Sequence, residues 1–142
     1  MSILRIIQGR QLEIISCSPQ DTVRFAAGLL AEKRIGALPV MEGSAVVGIF
    51  SERDVLYGVA REGEASLARA VGEVMTAPAI TIDGSVEVLS ALSLMTRRRI
   101  RHLPVVENGQ LLGFVSIGDL VKHRMESIEA EAQQMRDYIT LS

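Results

Sequence analysis

The chain has 142 residues and a mass of 15.4 kDa, room for one compact domain or two very small ones and too little for an elaborate multidomain enzyme. Apolar residues make up 48% and charged residues 23%, a balance that supports a packed core and differs from a disordered composition. Lysine and arginine total 15 against 17 acidic residues, so the net charge is -2. No chain-wide attraction to nucleic acid or anionic lipid follows, and any basic site has to be local.

In chain order, Met1 to Ile15 carries an apolar run broken by Arg5, Gln8, Arg10 and Glu13. It is too short and too interrupted for a signal peptide or a membrane span, and no other stretch reaches the roughly 20 apolar residues of a spanning helix. Ile3 to Gln8 reads as a short helix. The single cysteine, Cys17, has no partner for an internal disulfide, and two distant histidines supply no structural zinc set. A soluble cytoplasmic protein is expected, with Cys17 a small buried apolar residue.

An internal repeat follows. Laying Ile14 to Ala60 over Ala79 to Met125 without a gap sets Pro39 on Pro104, Gly48 on Gly113, Ser51 on Ser116 and Asp54 on Asp119. The first strands are expected at Ile14 to Ser16 and Ile80 to Ile82. Ser18 with Pro19, and Asp83 in the matching place, then read as helix starts. Apolar stripes run through Val23, Ala27 and Leu30, and through Val88, Leu92 and Met95. Two further strands follow in each unit: Ala37 to Met41 with Ala45 to Phe50, and His102 to Val106 with Gln110 to Val115. Asn108-Gly109 is a strong hairpin turn and Gly43-Ser44 a weaker one. A second helix starts at Ser51 or Ser116.

A unit of about 47 residues is too small for dependable stability alone, so two must share a core. The expected fold is α/β: two β-α-β-β-α repeats packed with pseudo-twofold symmetry, plus an extended C-terminal helix. Residues 1–60 hold the first helix and repeat 1, 61–70 a polar tether containing Gly63, 71–125 repeat 2, and 126–142 the extension. Val71 to Met75 reads as a short helix leading into repeat 2, with Ile3 to Gln8 in the same part before repeat 1.

Both repeats carry glycine, two residues, serine, two residues and aspartate: Gly48, Ser51, Asp54 and Gly113, Ser116, Asp119. Ser-x-x-Asp is close to a capping box that needs no ligand. A carboxylate beside free helix N–H groups also suits a ligand rich in hydroxyls and phosphate, and glycine lets a ligand come close to the backbone. Capping and binding can coexist. Arg97, Arg98, Arg99, Arg101 and His102 form the only dense basic run. It either complements the negative end of the helix starting near Ser85, as solvated cations, or neutralises phosphates. Nucleic-acid binding fits poorly, because no stacking platform exists among three Phe and two Tyr.

Leu-Pro-Val in both units, with Gly-Ile-Phe-Ser-Glu-Arg-Asp in one and Gly-Phe-Val-Ser-Ile-Gly-Asp in the other, resembles a tandem pair of CBS domains, or Bateman module. The resemblance covers almost the whole chain, as in stand-alone bacterial CBS-pair proteins, with no catalytic domain to regulate in cis. It implies a non-catalytic sensor of AMP, ADP or ATP, less often NAD(H) or S-adenosylmethionine, in a disc-shaped homodimer. It also implies that Asp54 and Asp119 hold ribose hydroxyls while Ser51 and Ser116 contact phosphate. Ser16 and Thr81 take the place of the family's first-strand hydroxyl, and Leu38, Val40, Leu103 and Val105 flank the base pocket, although their apolar character also suits the core. Arg101 and His102 stand where the family often places basic residues. Repeat 1 has Gly36 and Ala37 there, so unequal sites are expected, with Arg34 and Arg53 in partial compensation.

Beyond Asp119, Val121, Met125, Ile128, Ala132, Met135 and Ile139 follow a heptad seam. The stripe docks back on its own module, pairs with a second copy or binds a client protein. The competing function is therefore ligand-independent dimerisation or adaptor activity through this helix. No catalytic constellation, metal set or phosphate-binding glycine loop is present in the sequence.

Overall fold

Asn108 and Gly109 both take positive φ, 52° and 76°, the geometry that a two-residue turn between right-handed twisted strands requires. They close the hairpin of His102–Glu107 and Gln110–Ser116, matched in repeat 1 by Ala37–Glu42 and Ala45–Ser51. The structure is a computed structural model describing residues 1–9 and 13–141. Arg10 and Ser142, which the sequence reading includes, lie outside the described residues. The elements are α1 (Ile3–Gln8), α2 (Val23–Lys33), β1 (Ala37–Glu42), β2 (Ala45–Ser51), α3 (Glu52–Glu62), a 3-10 helix (Gly63–Ala68), α4 (Val71–Val74), α5 (Val88–Arg98), β3 (His102–Glu107), β4 (Gln110–Ser116) and α6 (Ile117–Leu141). Both hairpins are antiparallel, with a register shift at the same place, after Val40 and after Val105.

Three local expectations need correction. The first strands shrink to single parallel bridges, Cys17 to Val40 and Ile82 to Val105, one residue beyond Ser16 and Thr81. Helix α2 starts at Val23 with Thr22 accepting from the Phe25 N–H at 3.1 Å, and α5 starts at Val88 after Glu87. Ser18 and Asp83 instead spend their oxygens on turns: Ser18 Oγ accepts from the Gln20 N–H at 3.2 Å and Asp83 Oδ1 from the Ser85 N–H at 2.8 Å. These side chains favour turns as readily as caps. The deepest alanines on the buried stripes are Ala26 and Ala91, because positions three apart share a helix face as well as positions four apart.

Two apolar cores lie side by side, one in each repeat, in place of the single shared core expected. Leu30, Leu38, Val40 and Phe50 fill one, and Met95, Leu103, Val105 and Val115 the other. Each is completed by a short helix preceding the opposite repeat. Ile3 and Ile6 of α1 enter the core of repeat 2, anchored by Ile3 N–H to Val86 O and Leu4 N–H to Gly84 O, both 2.9 Å. Val71 of α4 enters the core of repeat 1, with its N–H on Asp21 O at 2.8 Å. Each short helix therefore packs in the core of the repeat that it does not lead into. Burying each such side chain contributes about 1.5–3 kcal/mol.

The expected tether is ordered. The 3-10 helix packs on α3, where Ser66 is buried against Gly58, and Arg69 bridges Glu62 and Glu73 at 2.7 and 3.0 Å. Cys17 is buried, and burial, with the Asp21 charge second, pushes its thiol up to about 11, so it stays protonated near neutrality. No described helix is long and apolar enough to cross a membrane.

Candidate functional site

Where each hairpin ends, its last strand residue becomes the N-cap of the next helix. Ser51 N–H donates to Asp54 Oδ2 at 2.8 Å, and Ser116 N–H to Asp119 Oδ2 at 2.8 Å. The Asp119 N–H returns a bond to Ser116 Oγ at 3.1 Å. The capping box is thus realised in both repeats, and it fixes each carboxylate at the mouth of a helix N-terminus. Both aspartates are only half-buried. A carboxylate has about four acceptor positions, so a cap bond to one oxygen leaves capacity for a ligand's hydroxyls. Burial pushes the Asp54 carboxyl above the ordinary range, opposed by the Ser51 hydrogen bonds and by Arg53.

Each aspartate opens into a cleft between the repeats. The Asp119 cleft has a volume of about 540 Å³ and the Asp54 cleft about 350 Å³, both within the range of small-molecule sites. Both clefts join the end of one hairpin to the start of the other. Ser116 and Asp119 face Arg34, Ile35 and Gly36, while Ser51 and Asp54 face Arg99, Ile100 and Arg101. Chain segment Glu13 to Ile15 adds wall to the Asp119 cleft and Pro78 to Ile80 to the Asp54 cleft.

Arg101 and His102 line both clefts, together with Gly36, Ala37 and Glu52. The imidazole stacks on Phe114 with ring centroids 5.5 Å apart and planes 14° apart. It leans across to Gly36, where an added Cβ would lie 3.4 Å from His102 Cε1. Burial lowers the His102 pKa below its ordinary value, against the pull of Asp119 and Glu52, so it is mainly neutral at pH 7.

The structure brings together Ser51, Asp54, Arg101 and His102 in one cleft, and Arg101, His102, Gly113, Ser116 and Asp119 in the other. Leu38, Val40, Leu103 and Val105 are fully buried in the cores, and neither they nor Gly48, Ser16 or Thr81 line these two clefts. Ser16 and Thr81 are exposed. The glycines have packing reasons of their own: a Cβ on Gly48 would meet Met75 Sδ at 2.6 Å and Thr76 O at 2.9 Å, and one on Gly113 would meet Ile7 Cδ1 at 2.8 Å. Sequence reasoning passed over Glu13, Ile14, Ile35, Glu52, Arg99 and Ile100 as wall residues. The repeat offset alone pairs Ile35 with Ile100 and Arg34 with Arg99, and that pairing was the signal available.

The chain is similar to a mitochondrial CBS domain-containing protein, CBSX3, of Arabidopsis thaliana, at 38% identity over 87% of this chain and 62% of the relative. It therefore spans less than two thirds of that relative's length. Among solved structures it resembles a CBS-domain containing protein from Agrobacterium tumefaciens, at 35% identity and a TM-score of 0.83, over 87% of this chain and 99% of that one. It also resembles CBSX2 in complex with AMP, at 27% identity and a TM-score of 0.72, over 82% of this chain and 90% of that one. The sequence model of the CBS domain matches residues 10–61 and 71–126, well over half of the chain, and the protein belongs to the CBS domain family as a pair of repeats.

Proposed function

We propose that the chain is a non-catalytic regulatory module that binds adenosine-containing ligands in the two clefts between its repeats. The observation that carries this reading is the matched placement of Asp54 and Asp119, each fixed by a helix cap and half-buried at a cleft. Each carboxylate accepts the vicinal ribose hydroxyls, which arrive as paired donors. Ser51 and Ser116, with the helix N–H groups behind them, and Arg101 suit phosphate. Ile35 and Ile100, with the adjoining wall residues Ile14 and Ile80, offer apolar surface to the base. A relative solved with AMP supports the ligand class. These polar groups grip hydroxyls and phosphates, and a ligand that prefers one arrangement of the repeats shifts the population toward it.

A thermal-shift panel of AMP, ADP, ATP, adenosine, NAD and S-adenosylmethionine tests the reading. A ligand at about 100 times its Kd stabilises by about 2.7 kcal/mol. The double variant Asp54→Ala, Asp119→Ala is expected to weaken binding by at least about 1.5–3 kcal/mol, the worth of a charged hydrogen bond. Unchanged affinity in titration calorimetry removes both carboxylates from the site, and turnover of added ATP contradicts the non-catalytic assignment.

A second reading, assembly through the helices, has its own observation. Leu56 on α3 and its counterpart Val121 on α6 are exposed, as are Met125, Ile128 and Met135 further along α6. This apolar line suits a second copy of the chain in a homodimer. Sedimentation of ligand-free protein as a monomer at micromolar concentration argues against it.

A further inference from the structure

The pseudo-twofold relates the two clefts residue by residue, and it fails at the charged positions of the rim. Arg53, at the Asp54 cleft, has Gly118 as its counterpart. Pro78 at the same cleft corresponds to Glu13 at the Asp119 cleft. Arg34 and Arg99 are equivalent and cancel, and Arg101 and Glu52 are shared by both. Among the described residues, the Asp54 cleft therefore sets Arg53, Arg99 and Arg101 against two carboxylates, Glu52 and Asp54. The Asp119 cleft sets Arg34 and Arg101 against three, Glu13, Glu52 and Asp119. One cleft carries an excess of cation and the other an excess of anion, and clefts with low-dielectric walls focus such fields on whatever enters.

We propose that the two clefts divide adenosine ligands by charge: the Asp54 cleft takes the 5′-phosphorylated ligand, and the larger Asp119 cleft takes one whose 5′ substituent is uncharged or cationic. This assignment rests on the adenosine-binding reading above and reverses the simplest sequence expectation, in which Arg101 and His102 favour the site of their own repeat. Both residues stand on the wall of both clefts, so their presence alone assigns the phosphate to neither. Arg53 discriminates, with its guanidinium available to fork onto a phosphate.

Calorimetric titration of the full chain with AMP and, separately, with adenosine tests this. Arg53→Gln is expected to weaken AMP about tenfold, the scale of one charged contact, and to change adenosine by less than about twofold. The complementary variant is Gly118→Arg. An added Cβ there meets only Ser116 Oγ at 3.7 Å, so the site accepts a side chain. It is expected to raise AMP affinity at the Asp119 cleft about fivefold or more, read as a second AMP equivalent that Asp119→Asn removes. Far-ultraviolet circular dichroism and unchanged melting of both variants establish that they fold. Equal loss of AMP and adenosine in Arg53→Gln, or AMP binding that depends on Asp119 and not on Asp54, overturns the charge division while leaving adenosine binding intact. Failure of wild-type protein to bind either compound overturns the adenosine reading and this assignment together.

Discussion

Leu30, Leu38, Val40 and Phe50 fill one interior, and Met95, Leu103, Val105 and Val115 fill the other at matched positions. Around the clefts the same symmetry puts Glu13 opposite Pro78 and Arg53 opposite Gly118. The contrast separates two kinds of constraint. A packed interior tolerates only exchanges that conserve volume, so where Val115 stands for the larger Phe50, repeat 2 receives two buried isoleucines from α1 and repeat 1 one valine from α4. A cleft rim bears no such constraint, and charge there is free to diverge.

The largest expected break falls on the interiors. Ile3→Ala leaves a cavity at a fully buried position in the core of repeat 2 and should cost about 2–5 kcal/mol in denaturant unfolding. Native-state hydrogen exchange should show protection lost first in α5, β3 and β4, although the substitution lies in residues preceding repeat 1. Retained protection there would mean that α1 is not part of that core. An intermediate effect separates the two glycines. Gly48→Ala drives a methyl into the Thr76 carbonyl, main chain that yields only by moving a strand edge, and should cost about 1–3 kcal/mol. Gly113→Ala meets Ile7 at Cδ1, Cγ1 and Cγ2, a side chain stiff at its branch but with no main chain in the way, and should cost about 1 kcal/mol, less than Gly48→Ala. Equal costs by chemical denaturation would place the same rigidity behind both.

The smallest effect concerns the cleft carboxylates. Because burial raises the Asp54 carboxyl in the fold, the unfolded chain loses that proton at lower pH than the folded one. Stability from this group therefore falls as pH rises through the interval between the two values, and the ionised form is a burden at neutral pH. Asp54→Asn keeps an oxygen for the Ser51 N–H and stays neutral. It should raise the ligand-free melting temperature at pH 7 by no more than about 2–4 °C, the gain vanishing toward about pH 3, below the carboxyl range. A gain that persists at acid pH would point to packing and not to ionisation.

The hairpins and the caps were legible because they depend on neighbours in sequence: Asn108-Gly109 could hardly be anything but a turn, and Ser-x-x-Asp marked both helix starts at Ser51 and Ser116. The helix starts at Thr22 and Glu87 were missed where Ser18 and Asp83 offered equally good local signals and the chain used them for turns. Which core received α1 was not legible, since an apolar face on a six-residue helix carries no address. The same holds for the clefts, whose walls come from opposite repeats and join Asp54 to Arg99 and Asp119 to Arg34 only after folding.

The crossed placement of α1 and α4 also bears on how such a chain could arise by duplication. A single ancestral unit, made of one plug helix and one repeat, would leave its own interior open and carry a stopper that suits its twin. Two separate copies could close each other in trans, and fusing their genes would then make the reciprocal plugging intramolecular without inventing a new contact.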